Sequence, residues 1–252
     1  MKGTNMAQNI FDDPTFFAEY KNLRENEPNY NDLLEQPAMR ALLPDLAGKD
    51  VLDIGCGFGH NCRDFVERGA RRVVGIDLSE RMLDVAKAQN ALPEIEYRRM
   101  DMDALDIPDE TFDFVYSSLA FHYAADFPKL CADVFRLLRA GGLLLFSQEH
   151  PFTTCSENDS NYYILDENGQ AAAYALSHYA KRGRRTGKWF VDDVENYHRT
   201  LGDIVTSLAR AGFRIDCVVE PEPSEEALQI RPGLQKEFIK PTFLIVRAEK
   251  CK

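Results

Sequence analysis

The most constraining feature of the sequence is a hydrophobic strand that runs directly into a glycine-rich turn. Residues 51–59 read Val-Leu-Asp-Ile-Gly-Cys-Gly-Phe-Gly, and a second hydrophobic run, 72–77, ends at Asp77. A strand, a glycine turn, a helix and an acid-tipped strand form the nucleoside-binding half of a doubly wound sheet. The glycines let a ligand approach the backbone, and a carboxylate can accept two hydrogen bonds from a ribose diol. The pattern therefore predicts a nucleoside site.

The spacing of the glycines argues against a dinucleotide. The dinucleotide pattern is Gly-x-Gly-x-x-Gly, and His60 stands where its third glycine would be. The helix N-terminus that would hold a pyrophosphate is therefore incomplete. An NAD-dependent reductase is disfavoured on this ground.

Strands and helices alternate along most of the chain. The predicted strands are 50–54, 72–77, 94–100, 112–117, 143–148, 213–219 and 242–247, and the predicted helices lie within 10–42 and at 60–69, 79–90, 127–139 and 199–211. Residues 151–197 lack a strong period, and a connection this long in a compact domain is usually functional or partly disordered. The alternation predicts an α/β fold with a parallel sheet and helices on both faces.

Composition narrows the class of protein. A length of 252 residues suffices for one well-buried core, and the net charge of −11 argues against a nucleic acid as partner. The six cysteines lack Cys-x-x-Cys spacing, which favours reduced thiols and no metal site. The chain has no apolar run of about 18 residues, and Met1–Asn5 lacks an apolar signal core. We expect a cytoplasmic protein without membrane contact.

Three segments together resemble one family. They are the turn Asp53-x-Gly55-x-Gly57-x-Gly59, the acid Asp77, and the stretch from Asp101 to Phe112-Asp113. These are similar to the motifs of class I methyltransferases that use S-adenosylmethionine. The resemblance covers nearly the whole chain and implies a Rossmann-like sheet of seven mostly parallel strands with an antiparallel last strand. It divides the chain into a helical cap (1–42), a cofactor-binding core (43–150 and 198–252) and a lid insertion (151–197).

The resemblance also implies where S-adenosylmethionine binds and S-adenosylhomocysteine is released. The implied positions are Asp53, Gly55, Cys56 and Gly57 for the amino-acid end, Asp77 for the ribose, Leu78, Met82, Asp101 and Met102 for adenine, Ser117 at the ligand edge of the sheet, and Tyr20, Arg24 and Tyr30 from the cap. The Cys56 thiol lies at an electropositive helix start, where it is either activated or contributes only its backbone.

The acceptor side offers several bases at strand ends. Methyl transfer from a sulfonium mainly requires alignment and exclusion of water, and a base only when the acceptor must lose a proton. His122, Glu149, His150 and His198 are the candidates. No histidine pair has the helical spacing of a metal site.

The insertion contains a Gly-x-Arg-x-x-x-Trp element that resembles a narrower subgroup of bacterial small-molecule methyltransferases. Gly183, Arg185 and Trp189 match it, and Tyr197 and Arg199 lie in the Tyr-His-Arg-Thr stretch of the same subgroup. The resemblance makes Arg185, Trp189, Tyr197 and Arg199 candidate acceptor-binding residues, although local packing explains Trp189 equally well.

The leading hypothesis is therefore an S-adenosylmethionine-dependent enzyme that methylates a small molecule, acting as a monomer or homodimer. A tRNA or rRNA methyltransferase is a second possibility, weakened because Ser117-Ser118-Leu119-Ala120 stands where Asn-Pro-Pro-Tyr would follow the fourth strand. A non-catalytic S-adenosylmethionine-binding protein is a third.

Overall fold

The computed structural model describes residues 8–26, 28–157 and 160–251. The predicted absence of a signal core in Met1–Asn5 concerns residues outside these ranges. The same holds for residues 1–7 of the predicted cap, and for Asn158 and Asp159 of the predicted turn in the insertion.

A seven-stranded sheet forms the centre of the fold. Its strands are β1 (Asp50–Ile54), β2 (Arg72–Asp77), β3 (Ile95–Arg99), β4 (Phe112–Ser117), β5 (Leu138–Glu149), β10 (Phe213–Val219) and β11 (Phe243–Lys250). Their order across the sheet is β10-β11-β5-β4-β1-β2-β3. The pairs within β1–β5 are parallel, whereas β11 is antiparallel to both β5 and β10. The predicted doubly wound sheet with an antiparallel last strand is confirmed.

Helices cover both faces of the sheet. They are α1 (Pro14–Asn26), α2 (Gln36–Ala41), α3 (His60–Glu67), α4 (Glu80–Gln89), α5 (Phe127–Leu137), α6 (Pro151–Thr154), α7 (Leu201–Ala211) and α8 (Glu225–Ile230). The predicted cap of α4 is present, since the Ser79 hydroxyl accepts a hydrogen bond from the Met82 backbone N–H. Apolar side chains fill the two layers between sheet and helices.

The start of β5 differs from its prediction. We expected a turn at Gly141-Gly142 and a strand from 143, but Leu138 already pairs with Phe112. The next pair along β4 is Phe114 with Leu143, so four residues of β5 bulge out between the two pairs. Gly141 adopts a φ of 78° inside this bulge. The glycines therefore form an irregularity within the strand rather than a turn before it.

The insertion contains two hairpins that the sequence did not reveal. Strands β6 (Tyr162–Leu165) and β7 (Ala171–Ala175) form one, and β8 (Gly183–Trp189) and β9 (Val191–His198) form the other. Both are antiparallel and mostly exposed, so they lack the apolar alternation that marks a half-buried strand. The predicted Asn168-Gly169 turn closes the first hairpin, where Gly169 has a φ of 76°.

One helical segment has an unexpected geometry, and another was missed. Within the region 10–42 that was predicted to be helical, Asn31–Glu35 forms a π-helical turn between α1 and α2. Between β10 and β11, α8 and the 3-10 helix Pro232–Phe238 fill a stretch that we left without structure. Both segments pack together, because Leu34, Ala227, Leu234 and Phe243 form one buried cluster.

Candidate functional site

A cavity of about 900 Å³ opens at the carboxyl ends of the parallel strands. This is the edge where ligands of open α/β sheets bind. The cavity is lined by fourteen of the predicted site residues: Tyr20, Arg24, Tyr30, Gly55, Cys56, Gly57, Asp77, Leu78, Met82, Asp101, Met102, His122, Glu149 and Trp189. The structure therefore brings together the cofactor positions, two acceptor-side candidates and the lid tryptophan.

The turn after β1 forms the floor of the cavity. Gly55 has a φ of 73°, and a Cβ added to it would lie 2.5 Å from the Cβ of Ala120. Gly57 also has a positive φ, 53°, and a Cβ there would meet no atom within 4 Å, so that side is open. Only glycine fits this backbone without strain or collision at Gly55. A ligand can therefore lie directly against the peptide groups.

Asp77 lies at the end of β2 with its carboxylate held by two backbone groups. Oδ2 accepts a hydrogen bond from the Gly57 N–H at 2.9 Å, and Oδ1 accepts one from the Ser79 N–H at 2.9 Å. Burial nevertheless raises the pKa of Asp77. Each oxygen retains a lone pair for a further donor, as the ribose assignment requires.

The segments after β2 and β3 supply the residues that were predicted to contact adenine. Leu78, Met82 and Met102 supply apolar surface there, and Asp101 lines the same wall. Neighbouring Asp103 is also in the lining, and its Oδ1 is buried without a hydrogen-bond partner among the described residues. An unsatisfied buried acceptor is costly, so a donor from a bound ligand fits this wall. The glycine cradle, Asp77 and this acceptor together fit the shape and donors of an adenosyl group.

Asp53 and Ser117 were expected to contact the cofactor, but the structure places both behind the cavity wall. Asp53 is buried beneath the β1 turn, where its Oδ2 accepts a hydrogen bond from the Cys62 thiol at 3.4 Å. Burial raises the pKa of Asp53 to about 7. The Ser117 hydroxyl donates to the Ile54 carbonyl at 2.8 Å. Both side chains therefore shape the strand ends rather than face a ligand.

Cys56 lines the cavity, but its thiol is not activated. A hydrogen bond with Cys62 acts to lower the pKa of Cys56, yet burial and nearby carboxylates raise it to about 11. The thiolate is the nucleophilic form of cysteine. Cys56 is thus left with the backbone role, and its N–H donates to the Ile76 carbonyl at 3.0 Å.

The cap contributes Tyr20 and Arg24 to the lining of the cavity. The Arg24 Nη1 lies 3.6 Å from the Asp32 Oδ1, and the Arg24 side chain is mostly buried. Tyr20 packs edge-on against Phe11, Phe58 and Trp189, with ring centroids 5.3 to 5.9 Å apart. Arg24 and Tyr20 reach the cavity from one helix, as the cap prediction expects.

His122 faces the cavity from the 3-10 turn after β4. Its Nδ1 accepts a hydrogen bond from the Glu149 backbone N–H at 3.3 Å, and burial lowers the pKa of His122 to about 3. The ring is therefore neutral at physiological pH and carries its proton on Nε2. This arrangement makes His122 a hydrogen-bond donor and not the general base that we expected.

Glu149, a predicted acceptor-side base, contributes its carboxylate to the lining of the cavity. It ends β5, and its Oε2 accepts a hydrogen bond from the Asn196 amide at 3.1 Å. Burial raises the pKa of Glu149, with a weaker opposing effect from Lys240. A carboxylate whose pKa is raised towards neutrality suits proton transfer better than an ordinary one.

His150 and His198 lie outside the cavity, contrary to their prediction as bases. His150 caps α6 by accepting the Phe152 N–H, and its Nε2 lies 2.9 Å from the Glu220 carboxylate. His198 is bonded on both nitrogens, to the Thr154 hydroxyl and the Tyr179 carbonyl. Both rings are used to hold loops together.

Three predicted acceptor-binding residues are also outside the cavity. The Arg199 guanidinium donates to the carbonyls of Phe121 and Ala124 and stacks over Phe127 at 4.7 Å. The buried Arg185 guanidinium donates a hydrogen bond to the Lys181 carbonyl. Tyr197 pairs with Arg184 within the β8–β9 hairpin. These side chains build the loop and the insertion around the site.

Trp189, a predicted acceptor-binding residue of the insertion, lines the cavity together with its neighbour Lys188. It ends β8 at the tip of the hairpin and packs edge-on against Phe16 and Tyr20, at 5.2 and 5.9 Å. Gln8 fixes the same hairpin to the cap through hydrogen bonds to the backbone of Asp193 and Glu195. The insertion therefore closes over the cap.

Several cavity residues escaped the sequence analysis. Tyr123, Leu119, Arg231 and Phe243 also line the cavity. Leu119 lies in the Ser117–Ala120 stretch discussed above, and Tyr123 directly follows His122. Phe243 begins β11, a strand that the sequence did predict, whereas Arg231 comes from the missed segment between β10 and β11. Proximity to His122 was the available signal for Tyr123, and nothing local marked Arg231.

The described residues contain no cluster of His, Cys, Asp and Glu suited to a metal ion. In the same part of the chain, no helix combines the length and the apolar character that crossing a membrane demands.

Comparison with known proteins identifies relatives of the whole chain. The Methyltransf_11 model, described as a methyltransferase domain, matches residues 52–146. A structure of an S-adenosylmethionine-dependent methyltransferase from Mesorhizobium loti is 39% identical, covering 85% of this chain and 97% of its own, with a TM-score of 0.79. A structure from Listeria monocytogenes, described in the same terms, is 37% identical over 86% of this chain and 97% of its own, also at 0.79.

A curated relative carries a more specific name. The ubiquinone biosynthesis O-methyltransferase of Neisseria meningitidis is 29% identical over 71% of this chain and 70% of its own length. The similarity thus extends beyond the 95 residues or so of the core domain into the flanking parts of the chain.

Proposed function

The chain belongs to the class I S-adenosylmethionine-dependent methyltransferases, and on that premise we propose that it methylates a small molecule held against His122, Tyr123 and Glu149. It is an enzyme whose cofactor is S-adenosylmethionine and whose product is S-adenosylhomocysteine. The observation that carries the proposal is the single cavity of about 900 Å³, whose lining combines residues of the cap, of the lid hairpin and of the end of β5.

Each part of the cavity has a task in this proposal. When bound, S-adenosylmethionine supplies an electrophilic methyl group on a sulfonium. Asp77 holds the ribose, and the Gly55–Gly57 backbone lies against the amino-acid end. Arg24 is placed to grip a carboxylate, for which a guanidinium is well suited. Tyr20 and Trp189 cover the methionine end and exclude water, which aligns the reactants for an in-line displacement.

His122 and Glu149 have complementary tasks towards the acceptor. His122 donates a hydrogen bond from Nε2 and orients an acceptor oxygen or nitrogen. Glu149 receives a proton when the acceptor must lose one, since burial raises its pKa. The bound cofactor would supply the methyl group, and the Glu149 carboxylate would take up the proton that a protic acceptor loses when it is methylated.

Size and charge support a small acceptor. The cavity of about 900 Å³ has the usual volume of a small-ligand site, and the net charge of −11 disfavours a polyanion. The Neisseria relative is by name an O-methyltransferase of ubiquinone biosynthesis, which is consistent with a small acceptor here.

The proposal is tested by offering the enzyme a methyl-labelled cofactor together with a cell extract separated into metabolites, proteins and RNA. We expect label in the metabolite fraction with the wild type, and at least tenfold slower labelling with Asp77→Ala at a cofactor concentration below the wild-type Kd. Label confined to RNA or protein, at the wild-type level of cofactor turnover, would contradict the small-molecule assignment. Tight cofactor binding without labelling of any fraction would support a non-catalytic binding protein instead.

A further inference from the structure

A buried carboxylate connects the cap with the cavity wall. Glu35 ends the π-helical turn and is fully buried. Its Oε1 accepts hydrogen bonds from the hydroxyls of Ser118, at 2.8 Å, and Ser147, and its Oε2 accepts one from the Gln36 amide at 2.9 Å. π-Helical turns are often found at functional sites, because the wider turn changes the direction of a side chain.

Neutral groups make all of these bonds. Burial raises the pKa of Glu35 against the opposing effect of the hydroxyl and amide donors, and the charge of Arg24 contributes least. Arg24 instead lies beside Asp32. A buried carboxylate without a close cation costs free energy compared with an apolar residue of similar size. Stability alone therefore does not account for a glutamate at this position.

The hydrogen-bond chain continues from Glu35 to a strained turn. The Ser147 hydroxyl also accepts the backbone N–H of Leu119 at 3.0 Å, and the same N–H lies 3.1 Å from the Ser147 carbonyl. Leu119 has a φ of 52°, a conformation that costs a leucine about 1–2 kcal/mol. Such a conformation persists only where its surroundings hold it.

The strained turn at Leu119 determines the width of the cofactor slot and the position of His122. It brings Ala120 against Gly55, where a Cβ on the glycine would be only 2.5 Å away, and so limits the width of the cofactor slot. It also begins the 3-10 turn Phe121–Tyr123, which carries His122 into the cavity. A change at Leu119 therefore moves both the cofactor slot and the acceptor wall.

We propose that Glu35 is a positioning residue for methyl transfer, which holds the Leu119 turn through Ser147 and thereby sets the cofactor slot and the place of His122. The part that concerns His122 rests on the proposed function. Glu35 touches neither ligand, and its effect passes through the two serines. The docking of the cap and the shape of the acceptor wall are thus fixed by one side chain.

Amide hydrogen exchange tests this role without knowledge of the acceptor. In Glu35→Ala and in the milder Ser147→Ala, we expect exchange of residues 119–123 to accelerate at least tenfold, and S-adenosylhomocysteine to bind about tenfold more weakly. In Glu35→Gln, the remaining carbonyl oxygen can still accept both hydroxyls, so wild-type protection and affinity should return. The double variant Glu35→Ala/Ser147→Ala should be no worse than Glu35→Ala, because both changes break one chain of bonds.

A stability control separates positioning from general loosening. Asp50 binds Arg71 and Arg139 at the opposite edge of the sheet, so Asp50→Asn should lower the melting temperature and leave exchange at 119–123 unchanged. Unchanged exchange at 119–123 in both Glu35→Ala and Ser147→Ala would overturn the proposal. The proposal would also be overturned if Asp50→Asn, at an equal loss of melting temperature, accelerated exchange at 119–123 as much as Glu35→Ala does. Additive losses of protection in the double variant would overturn it as well. These readouts remain decisive even if the acceptor proves not to be a small molecule.

Discussion

The carboxylate of Asp77 is bonded to the backbone of Gly57, with 2.9 Å between Oδ2 and the amide nitrogen. This bond joins the end of β2 to the glycine turn after β1, across twenty residues of sequence. The two features that first pointed to a nucleoside site are therefore parts of one rigid edge. A ligand that reaches Asp77 must lie against the glycine turn.

Replacing Asp77 with alanine should weaken S-adenosylhomocysteine binding by tenfold or more. The ribose would lose two hydrogen bonds to a charged group, each of which is worth roughly 1.5–3 kcal/mol. Calorimetric titration measures the effect. Asp84→Ala removes the same charge from the exposed side of α4 and should leave the affinity unchanged; equal affinities for all three proteins would remove the ribose assignment.

The affinity of the protein for S-adenosylhomocysteine should also depend on pH, because Asp77 titrates. Because burial raises the pKa of Asp77, its carboxylate becomes protonated at a higher pH than an ordinary aspartate. Binding of S-adenosylhomocysteine should therefore weaken as the pH falls through that raised pKa, and Asp77→Ala should abolish the dependence. A pH dependence that survives in the variant would assign the titration to another group.

The His122 ring should remain neutral, with its proton on Nε2, throughout the range from pH 5 to 8. Its pKa is lowered to about 3 by burial, so protonation begins only well below that range. Imidazole nitrogen shifts in NMR spectra report the tautomer, and the loss of the signals in His122→Asn assigns them. Titration of His122 near pH 6 would restore it as a candidate base.

Asp53 should make the protein less stable as the pH rises. Its folded-state pKa of about 7 is above its ordinary value of 3.8, so the native state binds a proton more tightly than the unfolded state. Its destabilising effect is absent below about pH 4, grows up to pH 7 and is complete above it. Asp53→Asn should therefore raise the melting temperature at pH 8 by at least about 3 °C and have little effect at pH 4. A variant that is equally destabilised at both values would contradict this assignment.

Trp189 should report ligand binding through its fluorescence. It is the one tryptophan in the sequence, and it lines the cavity beside Tyr20. Its emission should change on titration with S-adenosylhomocysteine. Trp189→Ala should weaken binding about three- to tenfold through lost ring contacts, whereas Trp189→Phe should bind nearly normally. Unaltered emission at saturation would place the lid away from the ligand.

The sequence was most informative where local chemistry determines the backbone. The turn from Gly55 to Gly57 needs glycine, and Asp77 ends a hydrophobic run, so both could be placed from the pattern alone. The antiparallel position of β11 followed from the family resemblance. Caps such as Ser79 are local signals of the same kind.

The features that the sequence did not reveal depend on long-range contacts. The exposed hairpins of the insertion are held by pairing and by contacts such as Gln8 with Asp193, which leave no periodicity in the sequence. His150 and His198 stand at strand ends like catalytic residues, and only their partners Glu220 and Thr154 show that they are structural. No local sequence pattern marked Glu35, because its role depends on hydrogen bonds to two serines that are more than eighty residues away.

A crystal structure of the protein with S-adenosylhomocysteine would show whether this cavity is the cofactor site. We expect the ribose diol on the Asp77 carboxylate, the homocysteine end against the Gly55–Gly57 turn beneath Tyr20, and the sulfur pointing towards His122 and Glu149. A ligand bound elsewhere, or one whose ribose does not touch Asp77 at full occupancy, would refute the cofactor assignment.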